Sequence, residues 1–185
     1  MKLLFVFLAI ISLSCGKQNT LSSEDYNWMP YHGTENLIFE SPGTDSDSLH
    51  FIRKDTIMAH PDAAVGGVEC EEVCVFSKNQ VQRPTLIFFK VKKNREDKTE
   101  LVFNLSTENA VFYRITPVNI DSLATPITFE TSYKKYDDVF LIIPDEYAKD
   151  FYQRSDYVVR LYWSKSSGLI RYDRKDERYW ELKAE

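Results

Sequence analysis

The chain has 185 residues, of which 43% are hydrophobic and 28% charged, and these proportions exclude a wholly disordered protein. The length suits one domain of ordinary size and is short for two. The formal net charge of −5 argues against nucleic-acid binding, which requires a basic surface. Aromatic residues make up 14% of the chain, and this enrichment favours β-strands.

The first residues have the pattern of an export signal. Lys2 provides a positive start, and Leu3 to Ile11 form an unbroken apolar run. This run is too short to span a bilayer, because a helix needs about 20 residues to cross one. A short apolar run that follows a positive charge and ends in small residues is typical of a signal peptide that is removed.

The end of this signal, Leu13, Ser14 and Cys15, resembles the lipobox of bacterial lipoproteins. In that family the cysteine is lipidated and becomes the first mature residue, and two or more acyl chains hold a protein stably on a membrane. Leucine usually stands three residues before the cysteine, where this chain has Ser12. There are two alternatives: an ordinary signal peptide is cleaved nearby, or Cys15 simply belongs to the apolar run.

These features predict three segments. Residues 1–14 are expected to be a signal peptide, and residues 15–25 a lipidated N-terminus with a flexible tether. The tether is expected because its residues are polar and lack apolar periodicity. Residues 26–185 are expected to form a single β-rich domain.

The domain contains short runs in which apolar and polar residues alternate, the pattern of half-buried strands. In chain order these runs are Leu37–Phe39, Leu49–Ile52, Thr85–Lys92 and Leu101–Leu105. The charged segment Asn94–Lys98 lies between the last two runs and predicts a hairpin.

The C-terminal part predicts a three-stranded meander. Its strands are expected within Tyr157–Ser164, Leu169–Asp173 and Arg178–Leu182, with turns at Ser166–Gly168 and Arg174–Glu177. One stretch, Asp145–Tyr152, has the N-cap and acidic first turn of a helix. The predicted fold class is mainly β, a single antiparallel β-sandwich or strongly curved sheet with one short helix and this meander.

Two parts of the domain resemble small lipoproteins of the Bacteroidetes. Tyr162–Leu182, with the sequence YWSKSSGLIRYDRKDERYWEL, is similar to the aromatic C-terminal meander of many of these proteins. Trp28–Tyr31 followed by Leu37–Phe39 is similar to the start of such domains. The resemblance implies a β fold and a lipid-anchored place in the bacterial cell envelope, with the outer membrane as the expected membrane. It implies no catalytic residue.

Cys70 and Cys74 are the remaining cysteines, and an oxidising envelope favours a disulfide between them. A regular strand would separate their Cα atoms by about 13 Å. A disulfide needs roughly 4.4–6.8 Å, so the bond requires a turn or helical coil, which Gly66 and Gly67 just upstream favour. The alternatives are two buried free cysteines or a metal site with His60.

No sequence motif indicates catalysis. His32, His50 and His60 have no catalytic or metal-binding spacing, and the chain has no Gly-rich phosphate loop, so we expect no metal and no cofactor. Asp45 and Asp47 imitate part of a calcium-binding loop. They lack its glycine and distal glutamate, so a solvated turn is the favoured interpretation.

The meander carries aromatic residues on both faces, although only one of these faces is needed to form the core. Arg160, Tyr162, Tyr172 and Trp180 are therefore candidates for a binding surface, because Arg, Tyr and Trp are enriched at protein interfaces. The alternative is that a second sheet or the helix covers this face too.

The sequence thus predicts a lipid-anchored, non-enzymatic envelope protein that binds an envelope protein or glycan, or that serves as an accessory subunit of an envelope assembly. It is expected to contact the membrane through its lipid and to bind no nucleic acid. One alternative is a small envelope hydrolase with an unrecognised cluster of Asp, Glu and His. Another is a carrier of an apolar ligand, which requires an empty apolar cavity.

Overall fold

The computed structural model of the chain describes residues 17–43, 45–60, 67–78, 86–145 and 153–183. The predicted signal peptide and Cys15 lie outside these ranges. Of the predicted helix Asp145–Tyr152, only Asp145 lies inside them. Residues 17–25 of the predicted tether do lie inside them, and there the chain is packed against the domain: Gln18 and Asn19 pair with Glu69 and Cys70, and Asn19, Leu21 and Asp25 are buried. The prediction of a flexible tether up to residue 25 is therefore wrong.

Short and long strands make up most of the described ranges, as the aromatic composition predicts. They are β1 (Gln18–Asn19), β2 (Asn36–Glu40), β3 (Ser46–Ala59), β4 (Glu69–Ser77), β5 (Leu86–Lys93), β6 (Thr99–Ser106), β7 (Val111–Tyr113), β8 (Val118–Asn119), β9 (Ile127–Glu130), β10 (Lys135–Ile142), β11 (Val158–Ser164), β12 (Gly168–Arg174) and β13 (Tyr179–Leu182). One helical turn, α1 (Ser23–Tyr26), and one 3-10 turn (Ile120–Ser122) accompany them.

These strands form one sheet in the order β7-β6-β5-β4-β3-β2-β13-β12-β11-β10-β9, antiparallel along this path. β1 pairs in parallel with β4, and β8 pairs with β6. The sheet curls into a half-barrel, so its inner face encloses the core and its outer face points away from it. The predicted fold class, mainly β with a strongly curved sheet, is confirmed.

The core is a packed set of aromatic rings around Trp163 on β11. The ring centroid of Trp163 lies 4.2 Å from that of Phe89 on β5, 5.1 Å from that of Phe103 on β6 and 5.8 Å from that of Tyr31. All four side chains are buried. Each such ring pair stabilises the fold by about 0.5–1.5 kcal/mol beyond the burial of its surface. The two halves of the curled sheet are thus held together by direct ring contacts.

The hairpin predicted around Asn94–Lys98 is confirmed as the β5–β6 connection. The Asn94 side chain accepts hydrogen bonds from the backbone N–H of Glu96 and Lys98. Asp97 has φ 64°, a conformation that Asp and Asn tolerate better than most residues. Local turn chemistry therefore determines this hairpin.

The helical turn α1 is fastened to this hairpin by a buried carboxylate. Ser22 is the N-cap of α1 and forms a capping box with Asp25. Asp25 accepts a hydrogen bond of 2.5 Å from Thr99 and lies 3.1 Å from the ammonium of Lys93. Burial raises the pKa of Asp25, but hydrogen bonds from Thr99, Ser22 and Lys93 outweigh it and lower the pKa to about 2.

The predicted C-terminal meander is confirmed as β11-β12-β13. The side chains of β11 do not alternate strictly between the two faces of the sheet, because the β11–β12 register shifts between Val158 and Arg160. Val158 therefore shares the core with Leu161 and Trp163, although alternation predicts that it faces the opposite side.

The first turn of the meander fits against a single tyrosine. Gly168 has φ +80°, as predicted for a glycine in this turn. A Cβ at this position would lie only 2.0 Å from the hydroxyl oxygen of Tyr31. That hydroxyl accepts a 2.8 Å hydrogen bond from the backbone N–H of Leu169. The absence of a side chain at Gly168 is therefore required for Tyr31 to reach the turn.

The loop expected around Cys70 and Cys74 is instead part of strand β4, which pairs with β3 on one side and β5 on the other. Both cysteines are buried and free. Four residues of extended chain separate their Cα atoms by about 13 Å, far beyond the reach of a disulfide. The predicted bond is therefore wrong for this fold, and the alternative of two buried free cysteines describes the structure.

Candidate functional site

A groove of about 720 Å³ opens beside the end of β13. This volume lies within the range of roughly 300–1,000 Å³ that is usual for small-molecule sites. The groove is lined by residues of β2, β10, β13 and the β9–β10 and β11–β12 turns: Asn36, Leu37, Ile38, Lys134, Tyr136, Ser167, Leu182 and Lys183.

Unequal strand lengths open the groove. The last residue of β13, Leu182, pairs with Phe39, and the N–H of Lys183 then donates to the carbonyl of Ile38 at 2.8 Å. β2 continues beyond this point to Asn36. The β2 segment that lines the groove thus extends past the end of its neighbouring strand.

The β9–β10 turn forms the opposite wall. Residues at the start of β10 extend beyond the end of β11, since the first β10–β11 pair is Val139 with Ser164. A register shift between Tyr136 and Val139 marks an irregularity in the β9–β10 pairing there. Such bulges bend a strand. The turn lies against β13 and β2, with which it forms hydrogen bonds.

Two hydrogen bonds hold the turn in this place. The N–H of Ser132 donates to the carboxylate of Glu181 on β13 at 2.9 Å, and the hydroxyl of Tyr133 donates to Glu40 on β2 at 2.5 Å. Lys183 contacts Glu40 from the other side at 2.6 Å. The hydrogen bonds from Lys183 and Tyr133 lower the pKa of Glu40. The groove is therefore walled by elements that are tied together.

The groove has apolar walls and a positive rim. Ile38 exposes 41% of its surface, while Leu37 and Leu182 are half-buried against the core. The ammonium of Lys134 lies 5.0 Å from the ring centroid of Tyr136, within cation–π distance. Lys134 and Lys183 carry the only charges among the eight lining residues. This arrangement can hold a molecule with an apolar body and a polar or anionic end.

A second apolar cluster supports the groove from the side. It consists of Tyr136, Val139, Tyr162 and Ile170, with Phe129 packed against them. Beside it, the guanidinium of Arg171 lies 3.8 Å from the ring centroid of Tyr179 and pairs with Asp173 and Glu181. These contacts bury much of the outer face of the meander.

The structure separates the four residues predicted as a binding surface. Tyr172 and Trp180 are fully buried in the core, with their rings stacked at 5.4 Å, so their assignment to an exposed surface is wrong. Their side chains point to the inner face, which the opposite half of the curled sheet covers.

The other two predicted residues, Arg160 and Tyr162, lie on the outer face. Tyr162 is only 6% exposed, so its assignment to an exposed surface is also wrong. Its hydroxyl donates to Asp173 at 2.8 Å and accepts from Arg160 at 3.3 Å. The side chain of Arg160 is 47% exposed and remains a candidate for contact with a partner. Neither residue lines the groove.

Both Cys70 and Cys74 have protected thiols. Burial raises the pKa of each, that of Cys74 to about 11. A thiol with so high a pKa is protonated at neutral pH and is a poor nucleophile.

The histidines do not assemble a catalytic or metal site within the described ranges. His32 and His50 are exposed, and His60 is paired with Glu69 at 3.0 Å. Across the residues that the structure describes, no three or more His, Cys, Asp or Glu side chains converge to hold a metal ion. The hydrolase alternative requires a cluster of Asp, Glu and His, and the described contacts do not place His50 or His60 beside two carboxylates.

The two aspartates of the expected solvated turn have different environments. Asp45 is exposed and pairs with Arg178. Asp47 is 6% exposed, and its carboxylate accepts hydrogen bonds from Tyr172 at 2.7 Å and from Thr107. Burial raises the pKa of Asp47 even though these hydrogen bonds lower it. The interpretation of Asp47 as solvated is therefore wrong, and this carboxylate is a buried partner of the core tyrosine.

Sequence reasoning missed all eight residues of the groove. Lys134 lies in a charged, turn-forming segment that is typical of any solvated connection. Ile38 belongs to a recognised strand, but nothing in its sequence context shows which segment will face it. The groove exists only because distant segments meet.

Because the comparisons with known proteins found no relative, the function is inferred from the fold and the groove. The chain matches no family model, no curated protein and no solved structure. In the described ranges, no helix has the length and apolar character needed to cross a bilayer.

Proposed function

We propose that the chain is a non-enzymatic binding protein that is held at the bacterial cell envelope by lipid on Cys15 and that binds an amphiphilic small molecule in the groove. The observation that carries the binding function is the groove itself, with its apolar walls and two lysines at the rim. The anchoring is supported by the signal-like start and the lipobox-like Leu13-Ser14-Cys15.

The position of the ligand follows from how the curled sheet is filled. Rings such as Trp163, Phe89 and Phe103 occupy the inner face, so a ligand carried inside the curl would have to displace the core. The groove is open space beside the end of β13, and a ligand there needs no such displacement. At about 0.8 kcal/mol per buried CH₂, a ten-carbon chain would gain roughly 8 kcal/mol before the costs of association are deducted.

Anchoring is tested by the processing of the full chain in cells. We expect globomycin, which blocks the signal peptidase of lipoproteins, to cause the precursor to accumulate. Cys15→Ala should likewise prevent lipidation. Unchanged processing both in the presence of globomycin and in the Cys15→Ala variant would contradict the lipid anchor.

Binding is tested by isothermal titration calorimetry of decanoate, below its micelle concentration, into the full chain carrying Cys15→Ala. Ile38→Glu places a carboxylate on an exposed apolar wall and should weaken binding by about tenfold, since half of an isoleucine contact is worth about 1.4 kcal/mol. Ile52→Glu is the matched control, because Ile52 is also a strand isoleucine with 41% exposure and does not line the groove. Equal loss in both variants would contradict binding in the groove.

A further inference from the structure

The charge of the groove differs in sign from that of the chain. The formal net charge of the chain is −5, whereas the lining residues carry two lysines and no acidic residue. A local positive site in an acidic protein attracts anions and repels cations. The charge of the lining therefore favours an anionic ligand over a cationic one.

We infer that the groove binds an amphiphile whose anionic head group, a carboxylate or a phosphate, lies between Lys134 and Lys183 at the rim. The inference rests on the proposed function and names its ligand class. The apolar part of the ligand lies along Ile38, which is 41% exposed, and against the buried Tyr136, both of which line the groove.

The two lysines have different roles. Lys183 is already paired with Glu40, so its charge is partly neutralised. Lys134 is exposed and contacts the ring of Tyr136, and within the described ranges it forms no ion pair with a carboxylate. Lys134 is therefore the residue whose charge a bound anion would satisfy first.

Neutral groups complete the rim. Asn36 has an amide and Ser167 a hydroxyl in the same lining, and both groups can donate hydrogen bonds to oxygen atoms. Together with the lysines they provide donors for a head group with two or three oxygens. The isoleucine, leucine and tyrosine walls suit an alkyl chain better than a sugar, which would leave its hydroxyls without partners there.

The test compares three amphiphiles with ten-carbon chains by calorimetry, again with the full chain carrying Cys15→Ala. Each compound is used below its micelle concentration. Decanoate and decyl phosphate carry anionic heads, and decyltrimethylammonium carries a cationic one. We expect both anions to bind at a stoichiometry of about one and the cation to bind at least roughly tenfold more weakly. A preference between the two anions identifies whether a fatty acid or a phosphate amphiphile is the better ligand, and either preference supports the inference.

Lys134→Gln should weaken the binding of both anions by roughly threefold to tenfold, because it removes a charge-assisted contact at a partly screened site. It should leave the weak binding of the cation unchanged or improve it. Lys98→Gln is the control, since Lys98 is an exposed lysine in another turn and does not line the groove.

The outcomes separate the two proposals. If none of the three compounds binds, the groove is not a ligand site and both proposals are overturned. If the cation binds as tightly as the anions, or if Lys134→Gln has no effect on the anions, the charge selectivity is overturned while binding in the groove stands. Loss of anion binding in Lys98→Gln to the same extent would also overturn it.

Discussion

The carboxylate of Asp25 should contribute a pH-dependent part of the stability of the fold. Its pKa is about 2 in the folded chain against an ordinary value of 3.8. At about 1.4 kcal/mol per pH unit, this difference corresponds to roughly 2 kcal/mol of stabilisation by the ionised form. Because the pKa is lowered on folding, this stabilisation is fully present above pH 4–5 (roughly) and is lost as the pH falls towards about 2.

Asp25→Asn removes the charge and keeps the shape of the side chain. At about pH 7 we expect the variant to unfold with a free energy lower by about 2 kcal/mol and a Tm lower by about 4–8 °C, given the usual entropy of unfolding for a chain of this size. At about pH 2.5 the carboxyl is largely protonated in the unfolded chain but still mostly ionised in the folded chain, because this pH lies between the two pKa values. Most of the stabilisation is lost at this pH, so the difference should shrink below about 1 kcal/mol. Urea unfolding followed by tryptophan fluorescence measures both values.

Asp97→Asn is the matched control for this experiment. Asp97 lies 3.6 Å from the same Lys93 ammonium, but its side chain is 56% exposed. Asparagine tolerates the positive φ of this position, so the turn is preserved. An exposed ion pair is worth little, and we expect a change below about 0.5 kcal/mol. The reasoning is refuted if Asp25→Asn costs the same at both pH values, or if Asp97→Asn costs as much.

Two further predictions concern the close packing of the sheet. Gly168→Ala should destabilise the fold by about 3 kcal/mol or more, because the new Cβ would overlap the Tyr31 hydroxyl and the residue has positive φ; an unchanged Tm in thermal unfolding would contradict this contact. Cys70 and Cys74 should react with Ellman's reagent as two free thiols in denatured, unreduced chain carrying Cys15→Ala, and much more slowly in the folded chain because both are buried; fewer than two thiols after denaturation would restore the disulfide.

Features that depend on neighbouring residues could be predicted from the sequence. Alternation in Leu101–Leu105 predicts a half-buried strand, and β6 buries Leu101, Phe103 and Leu105 as expected. The turn at Asn94–Lys98 and the glycine at 168 are equally local, because side-chain hydrogen bonds and positive φ act within a few residues.

Features that depend on which segments meet could not be predicted in this way. β4 contains Glu71 and Glu72 between its cysteines and does not alternate simply, yet it is a strand because β3 and β5 pair with its two sides. Similarly, Asp47 has the composition of a turn residue but becomes buried where Tyr172 and Thr107 reach it from distant strands.

The sequence by itself therefore determined the mainly β character, the hairpin and meander, and the expectation of an envelope anchor. The tertiary structure decided which aromatic face is core, since Tyr172 and Trp180 are buried only because the sheet curls around them. It also decided the groove, whose walls come from positions as far apart as Asn36 and Lys183. Strand lengths and bulges set where such segments meet, and these are properties of the whole pairing pattern, which no single stretch of sequence contains.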